Sequence, residues 1–158
     1  MIRFRFVVYA VLLAAFLATP ALAVPGKTEL TFSGSYVNPE DSKAVWQFGT
    51  DVLFPITSGG IVILGPSVSV SDNDNNTGMG AVLEVNVPGQ SGGFFFGGQA
   101  LHYLDSDEGQ DENTTSARAG IKLPLSKSGL FKVYVSKGLS GRDRDADLSG
   151  VLAAALKF

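Results

Sequence analysis

The sequence predicts an all-β fold, an eight-stranded antiparallel up-and-down β-barrel. Three observations lead to this prediction: apolar and polar residues alternate with a period of two, the alternation falls into eight runs, and the connections between the runs are of two alternating kinds. A period of two indicates strands whose two faces meet different surroundings. The chain has 19 glycines and no cysteine. Its stability therefore depends on backbone pairing and packing rather than on disulfides.

The first segment of the chain is predicted to be a signal peptide rather than part of the barrel. Two arginines give it a positive start, an apolar run follows over residues 6–19, and Ala-Leu-Ala at 21–23 has the small-x-small pattern of a cleavage site. An uncleaved anchor helix is the alternative, but the apolar run is short for a membrane span. We therefore expect a signal peptide over residues 1–23 and the barrel over residues 24–158.

The eight amphipathic runs are the expected strands. Most are longer than ordinary strands, which have about 5–6 residues. They match the roughly 9–11 residues with which a tilted strand crosses a membrane. In chain order the runs cover residues 28–37, 44–56, 60–71, 77–87, 93–104, 114–125, 129–139 and 147–158.

The connections between the runs alternate between compact turns and acidic loops. Proline and glycine suit tight turns, and they occur together in PITSGG at 55–60, PGQSGG at 88–93 and PLSKSG at 124–129. The acidic loops are NPEDSK at 38–43, DNDNNT at 72–77, DSDEGQDEN at 105–113 and GRDRDAD at 141–147. Since alternate connections of an antiparallel meander lie at opposite ends of the sheet, one end of the barrel is expected to be compact and neutral. The other end is expected to be acidic and hydrated.

The polar face of the runs is predicted to line the lumen. It is rich in glycine and serine, which suits the narrow interior of an eight-stranded barrel. Its acidic residues fall on the first, second and fourth strands and its basic residues on the last three, so they can neutralise one another across a small lumen. The predicted lumen charge network consists of Glu29, Asp51, Glu84, Arg118, Lys122, Lys132 and Lys157. Because the sheet must close, we expect Lys157 to meet Glu29 where the last strand pairs with the first.

The apolar face is predicted to contact lipid. Near the Pro-Gly turns it carries a band of phenylalanines, the pattern of an aromatic girdle at a membrane interface. This girdle consists of Phe54, Phe94, Phe96, Phe131 and Phe158. The alternative is the reverse arrangement, a soluble barrel with an apolar pocket of the lipocalin type. That arrangement gives no reason for the partition of the charges by sign.

The sequence ends in VLAAALKF, which places Leu152, Ala154, Leu156 and Phe158 at alternate positions of one face. Together with the signal peptide, the eight amphipathic strands and the short turns, this ending resembles small bacterial outer-membrane barrels of the OmpA-transmembrane and OmpX type. The resemblance implies a monomeric barrel in the outer membrane, in contact with membrane lipid and lipopolysaccharide. It also implies that these four residues are read by the barrel-insertion machinery. The expected acidic loops are shorter than the receptor-binding loops of some barrels in this group.

The predicted function is non-enzymatic: a structural barrel that contributes to envelope integrity or to surface interaction, with its lumen plugged by the charge network. A narrow pore for ions or small solutes is the second hypothesis, because the lumen glycines leave some room. The formal net charge of −3 gives no basic face for nucleic acid. No cofactor is expected.

A lipid-modifying enzyme is the third hypothesis. The single histidine, His102, is expected near the outer end of the fifth strand and on the apolar face, with Met79 and Thr115 opposite it. No serine is expected beside it on that face, and a base without a nucleophile is not a catalytic site.

The acidic loops raise the question of calcium. DRDADLSG at 143–150 alternates aspartates, but Leu148 stands where an EF-hand loop requires glycine. No dedicated metal site is predicted, although these carboxylates are suited to sharing divalent ions with lipopolysaccharide phosphates.

Overall fold

The computed structural model describes residues 28–37, 45–71, 77–89, 91–104, 112–140 and 148–158. The predicted signal peptide lies outside the described residues, and so do residues 38–44, 72–76, 105–111 and 141–147, which hold most of the acidic connections. No helix in the described part of the chain is long and apolar enough to cross a membrane.

The described residues form eight strands, whose bounds lie within a few residues of the predicted runs. They are β1 (Glu29–Val37), β2 (Val45–Pro55), β3 (Val62–Ser71), β4 (Thr77–Gly89), β5 (Gly92–Leu104), β6 (Glu112–Pro124), β7 (Gly129–Ser140) and β8 (Ser149–Lys157). The turn after β2 contains one 3₁₀ turn at Ser58–Gly60. Strand pairing runs further into the second Pro-Gly segment than expected, because β4 extends to Gly89 and β5 already begins at Gly92.

The eight strands form one closed barrel in chain order, each antiparallel to the next. The sheet closes between β1 and β8, from the pair Glu29 and Lys157 to the pair Ser35 and Val151. Closure pairs the two strands that would otherwise be sheet edges. The predicted up-and-down antiparallel barrel is confirmed.

The two faces of the barrel differ sharply in exposure. Phe94 is 70% exposed on the outer wall, whereas Phe95, the next residue of β5, is 2% exposed and points into the lumen. Large apolar side chains exposed on the outer wall include Phe32, Trp46, Phe48, Leu64, Leu83, Phe96, Leu123, Val135, Leu152 and Leu156. Leu30 and Val52 belong to the outer face by alternation but are buried. The lipocalin-type arrangement is therefore wrong for this chain.

The lumen also contains apolar side chains that the sequence analysis did not single out. Leu53, Ile63 and Val82 form one buried cluster. A second cluster joins Phe95, Tyr134, Val151 and Ala153. An eight-stranded barrel is narrow enough for its interior to be filled by side chains. Since protein interiors pack to the density of organic crystals, bulky apolar groups fill the space that serine and glycine leave.

Glycine at selected lumen positions allows neighbouring strands to approach closely. A Cβ atom added to Gly80 of β4 would lie 1.8 Å from the carbonyl oxygen of Ala100 on β5. Real Cβ atoms do not approach that closely, so this segment of the barrel wall requires glycine.

A buried charge network as the candidate functional site

Four charged side chains meet in the lumen and form the central network: Glu29 of β1, Glu84 of β4, Lys122 of β6 and Lys132 of β7. Lys122 Nζ lies 2.8 Å from Glu84 Oε2 and 3.1 Å from Glu29 Oε2. Lys132 Nζ lies 2.9 Å from Glu84 Oε1 and also contacts Glu29 Oε1. Each lysine therefore bridges both carboxylates, and none of the four residues is more than 2% exposed.

The position of the two lysines explains why two acids are needed. Lys122 and Lys132 are register partners on adjacent strands, so their like charges would repel each other without counterions between them. Glu29 and Glu84 supply those charges from other strands of the barrel. Each charge thus has a partner, which is the condition under which buried ions are tolerated.

Two neighbouring side chains complete the surroundings of the central network. Lys132 Nζ donates a hydrogen bond to Thr31 Oγ1 at 3.2 Å, and Thr31 donates to Glu29 Oε1 at the same distance. The ring of Phe95 lies below both ammonium groups, 5.5 Å from each. A cation over an aromatic face is attracted by the ring quadrupole, so Phe95 combines packing with electrostatic stabilisation.

A second ion pair joins Asp51 of β2 to Arg118 of β6, with Nη1 and Oδ2 3.1 Å apart. Ser67 donates to the other carboxylate oxygen of Asp51 at 2.6 Å, and Gln99 donates to Ser67 Oγ at 2.7 Å. The Arg118 guanidinium lies 5.5 Å from the ring centre of Tyr134. This polar chain connects β2, β3, β5 and β6 through the lumen.

The structure brings six of the seven predicted lumen charges into these two groups, as three acids and three bases. Lys157 differs: its Cα is paired with that of Glu29 as expected, but the Glu29 carboxylate contacts Lys122 and Lys132 instead. Lys157 is only half-buried. Its main-chain nitrogen donates to the Ser128 carbonyl at 2.7 Å, at the end of the barrel that carries the Pro-Gly turns.

The predicted girdle residues lie on the outer wall toward the Pro-Gly turns. Phe94, Phe96 and Phe158 are exposed, and Phe54 and Phe131 are partly exposed. The four residues predicted as an insertion signal occupy the same wall. Leu152, Ala154, Leu156 and Phe158 are exposed, while Ala153 and Ala155 between them are buried.

His102 lies on the outer wall, as expected, opposite Met79 of β4. The other expectation is wrong: its partner on β6 is Asn113, not Thr115. His102 Nδ1 and Asn113 Oδ1 are 3.0 Å apart, and Thr115 instead hydrogen-bonds Ser140 at 2.7 Å. The cause is the register of the β5–β6 hairpin, which counting along the loop does not determine.

The described residues contain no group of three or more histidine, aspartate or glutamate side chains that could hold a metal ion. Their carboxylates in the lumen are engaged by lysine and arginine.

An exposed apolar outer wall around a lumen with paired charges defines a closed eight-stranded β-barrel of up-and-down topology. Comparison with known proteins places the chain within this class by fold. It is similar to the N-terminal β-barrel domain of Pseudomonas aeruginosa OprF, with a TM-score of 0.60, 17% identity, and coverage of 85% of this chain and 98% of that chain. No family model and no curated protein sequence matches the chain.

Proposed function

We propose that the chain is a non-enzymatic barrel of the bacterial outer membrane with a structural role in the cell envelope. The observation that carries this proposal is the inverted distribution of side chains: large apolar residues cover the outside, while six charged residues are buried inside. Such an apolar surface is unfavourable in water and is what a lipid bilayer requires. A closed barrel also leaves no open strand edge in the hydrocarbon region.

The central network acts in this proposal as a plug. Side chains from β1 and β4 meet those from β6 and β7 at hydrogen-bonding distance. Phe95 and the Leu53 cluster fill the neighbouring space. Because an eight-stranded lumen is just wide enough for side chains, these groups close it to solutes.

The location and the route to it are part of the same proposal. The predicted signal peptide exports the chain, and the alternating apolar pattern that ends at Phe158 is recognised by the barrel-insertion machinery. The acidic connections then face the outside of the cell, where they contact lipopolysaccharide and its divalent ions. The protein works as a monomer, since its first and last strands pair with each other.

A narrow channel is the second candidate, and one feature of the lumen favours it. Toward the acidic connections the lumen is lined by small or polar residues that are only half-buried, among them Ser33, Gly49, Ser116, Ser136 and Ser149. Their partial exposure indicates that solvent reaches this half of the lumen. The lipid-modifying enzyme has no comparable support, because the ring of His102 hydrogen-bonds the side-chain amide oxygen of Asn113.

The deciding experiment combines gel mobility with conductance. The refolded barrel should migrate faster unboiled than boiled, which shows closure, and it should insert into lipid vesicles. In planar bilayers the plugged barrel should give no discrete conductance steps. The variant Glu84→Ala/Lys132→Ala, which removes one acid and one base of the plug, should give steps, while Lys127→Ala in an exposed turn should not. Discrete conductance steps from the unaltered barrel would contradict the plugged lumen and favour the narrow channel.

A further inference from the structure

We propose that the outer wall of β6, β7 and β8 carries a binding site for one phosphorylated glycolipid of the lipid A type. An acyl chain lies in an apolar groove on this wall, and a phosphate lies against Lys137 at the end of the groove nearer the acidic connections. The proposal rests on the proposed membrane location and assigns a specific lipid and specific residues to it.

The groove is a depression of about 480 Å³ in the outer wall. Its outward-facing lining consists of Ala119, Ile121, Val133, Val135, Gly150 and Leu152. The depression exists because Ala119 and Gly150, which both pair with Val135, lack the bulk of their neighbours. A Cβ atom added to Gly150 would meet no atom within 4 Å. The space outside Gly150 is therefore open and apolar, as an acyl chain requires.

Lys137 is placed to hold the headgroup of the same lipid. It is the next outward-facing position of β7 after Val135, toward the acidic connections, and it is exposed. Among the described strands it is the one lysine or arginine on the outer wall, since Arg118, Lys122 and Lys132 are buried in the lumen and Lys157 belongs to the lumen face of β8. A lysine at this position can extend its alkyl stem along apolar surface and keep its ammonium group at the polar interface. The positive charge of the Lys137 ammonium group favours a lipid whose headgroup carries a phosphate.

Hydroxyl and amide groups extend this polar region across the neighbouring strands. A register shift at Thr115 and Ser116 of β6 makes Ser140 the partner of Thr115, and their hydroxyls lie 2.7 Å apart. β-bulges redirect side chains in this way at barrel rims. His102 and Asn113 form a second polar pair beside them. Groups of this kind suit sugar hydroxyls, which favours a phosphorylated sugar headgroup over a simple phosphodiester.

The next two strands around the barrel, β1 and β2, show that this arrangement is local. At the corresponding end of β1 and β2, the outer wall carries Tyr36 and Trp46, with ring centres 4.8 Å apart. An aromatic pair is a general interface anchor. A cation above an apolar groove is instead complementary to a single amphipathic anionic molecule.

The test measures binding of purified diphosphoryl lipid A to the full barrel in neutral detergent, by native mass spectrometry and titration calorimetry. Lys137→Gln should weaken binding about tenfold, the effect of losing one charge-assisted hydrogen bond. Gly150→Leu should weaken it by filling the groove. Lys137→Arg should bind as the parent does, and so should the matched control Lys127→Gln, which makes the same charge change in an exposed turn at the other end.

Two results would overturn the inference. Unchanged lipid A affinity in Lys137→Gln or in Gly150→Leu removes the site, and equal affinity for phosphatidylglycerol removes the preference for a glycolipid. Each variant is also tested for heat-modifiable mobility and for insertion into phosphatidylcholine vesicles. Failure of the parent barrel in these two assays rejects the proposed function itself, whereas normal insertion with unchanged binding rejects only the lipid site.

Discussion

Lys122 Nζ lies 2.8 Å from Glu84 Oε2 in the lumen, although the two residues belong to strands that are not neighbours. A second lysine, Lys132, contacts the same carboxylate at 2.9 Å and connects it to Glu29. The ion pairs thus tie together strands from different parts of the chain. Their energetic role is testable because each partner can be changed singly.

Replacement of one lysine of the central network should destabilise the barrel strongly. Lys132→Met leaves Glu29 and Glu84 buried with a single counterion. Breaking a buried ion pair from one side costs about 3–5 kcal/mol. The measurement is urea unfolding in vesicles, followed by tryptophan fluorescence. The exposed Lys127→Met should stay within about 0.5 kcal/mol of the parent, and a similarly small loss for Lys132→Met would contradict the importance of the network.

The Asp51–Arg118 pair should show energetic coupling. In a double-mutant cycle of Asp51→Asn and Arg118→Met, contacting residues are expected to couple by about 0.5–3 kcal/mol. Ser67→Ala, which removes one hydrogen bond to Asp51, should cost about 1 kcal/mol. Additive single effects within experimental error would show that the 3.1 Å contact contributes no coupling to stability.

Closure between the first and last strands can be trapped covalently. Phe32 and Ala154 are register partners on the outer wall of β1 and β8, and the chain has no cysteine of its own. The variant Phe32→Cys/Ala154→Cys should therefore form an intramolecular disulfide on mild oxidation, since paired strands bring Cβ atoms into range. Mobility of the boiled, non-reduced protein reports it. Phe32→Cys/Ile121→Cys, which places the second cysteine on β6, should remain reduced, and cross-linking there instead would disprove the strand order.

Close approach of β4 and β5 should make Gly80 intolerant of any side chain. Gly80→Ala would place Cβ 1.8 Å from the Ala100 carbonyl, which forces the backbone to move and should cost about 3 kcal/mol or more. Gly150→Ala is the matched control, because no atom lies within 4 Å of its added Cβ. Heat-modifiable mobility over a temperature series compares the two variants. Equal stability would show that the strands are not so close at Gly80.

Two differences between the sequence-based predictions and the structure have separate causes. Counting residues through the β5–β6 connection placed Thr115 opposite His102, but the hairpin register brings Asn113 there. The predicted lumen network contains only charged residues and omits the aromatic Phe95, whose neighbours Phe94 and Phe96 are exposed on the outer wall. Alternation alone places Phe95 inside. Its contact with the ammonium groups of Lys122 and Lys132 depends on how the strands are arranged around the closed barrel, which alternation does not determine.

The sequence by itself determined the number of strands, their order, and which side chains of each strand share a face. These features are local, because alternation and turn chemistry act over a few residues and a strand with the wrong face outward is unfavourable along its whole length. Only the tertiary structure decided that Glu29 contacts Lys122 and Lys132 rather than its register partner Lys157. Contacts across the lumen depend on the accumulated registers of eight strand pairs and on closure of the sheet, and no single segment contains that information.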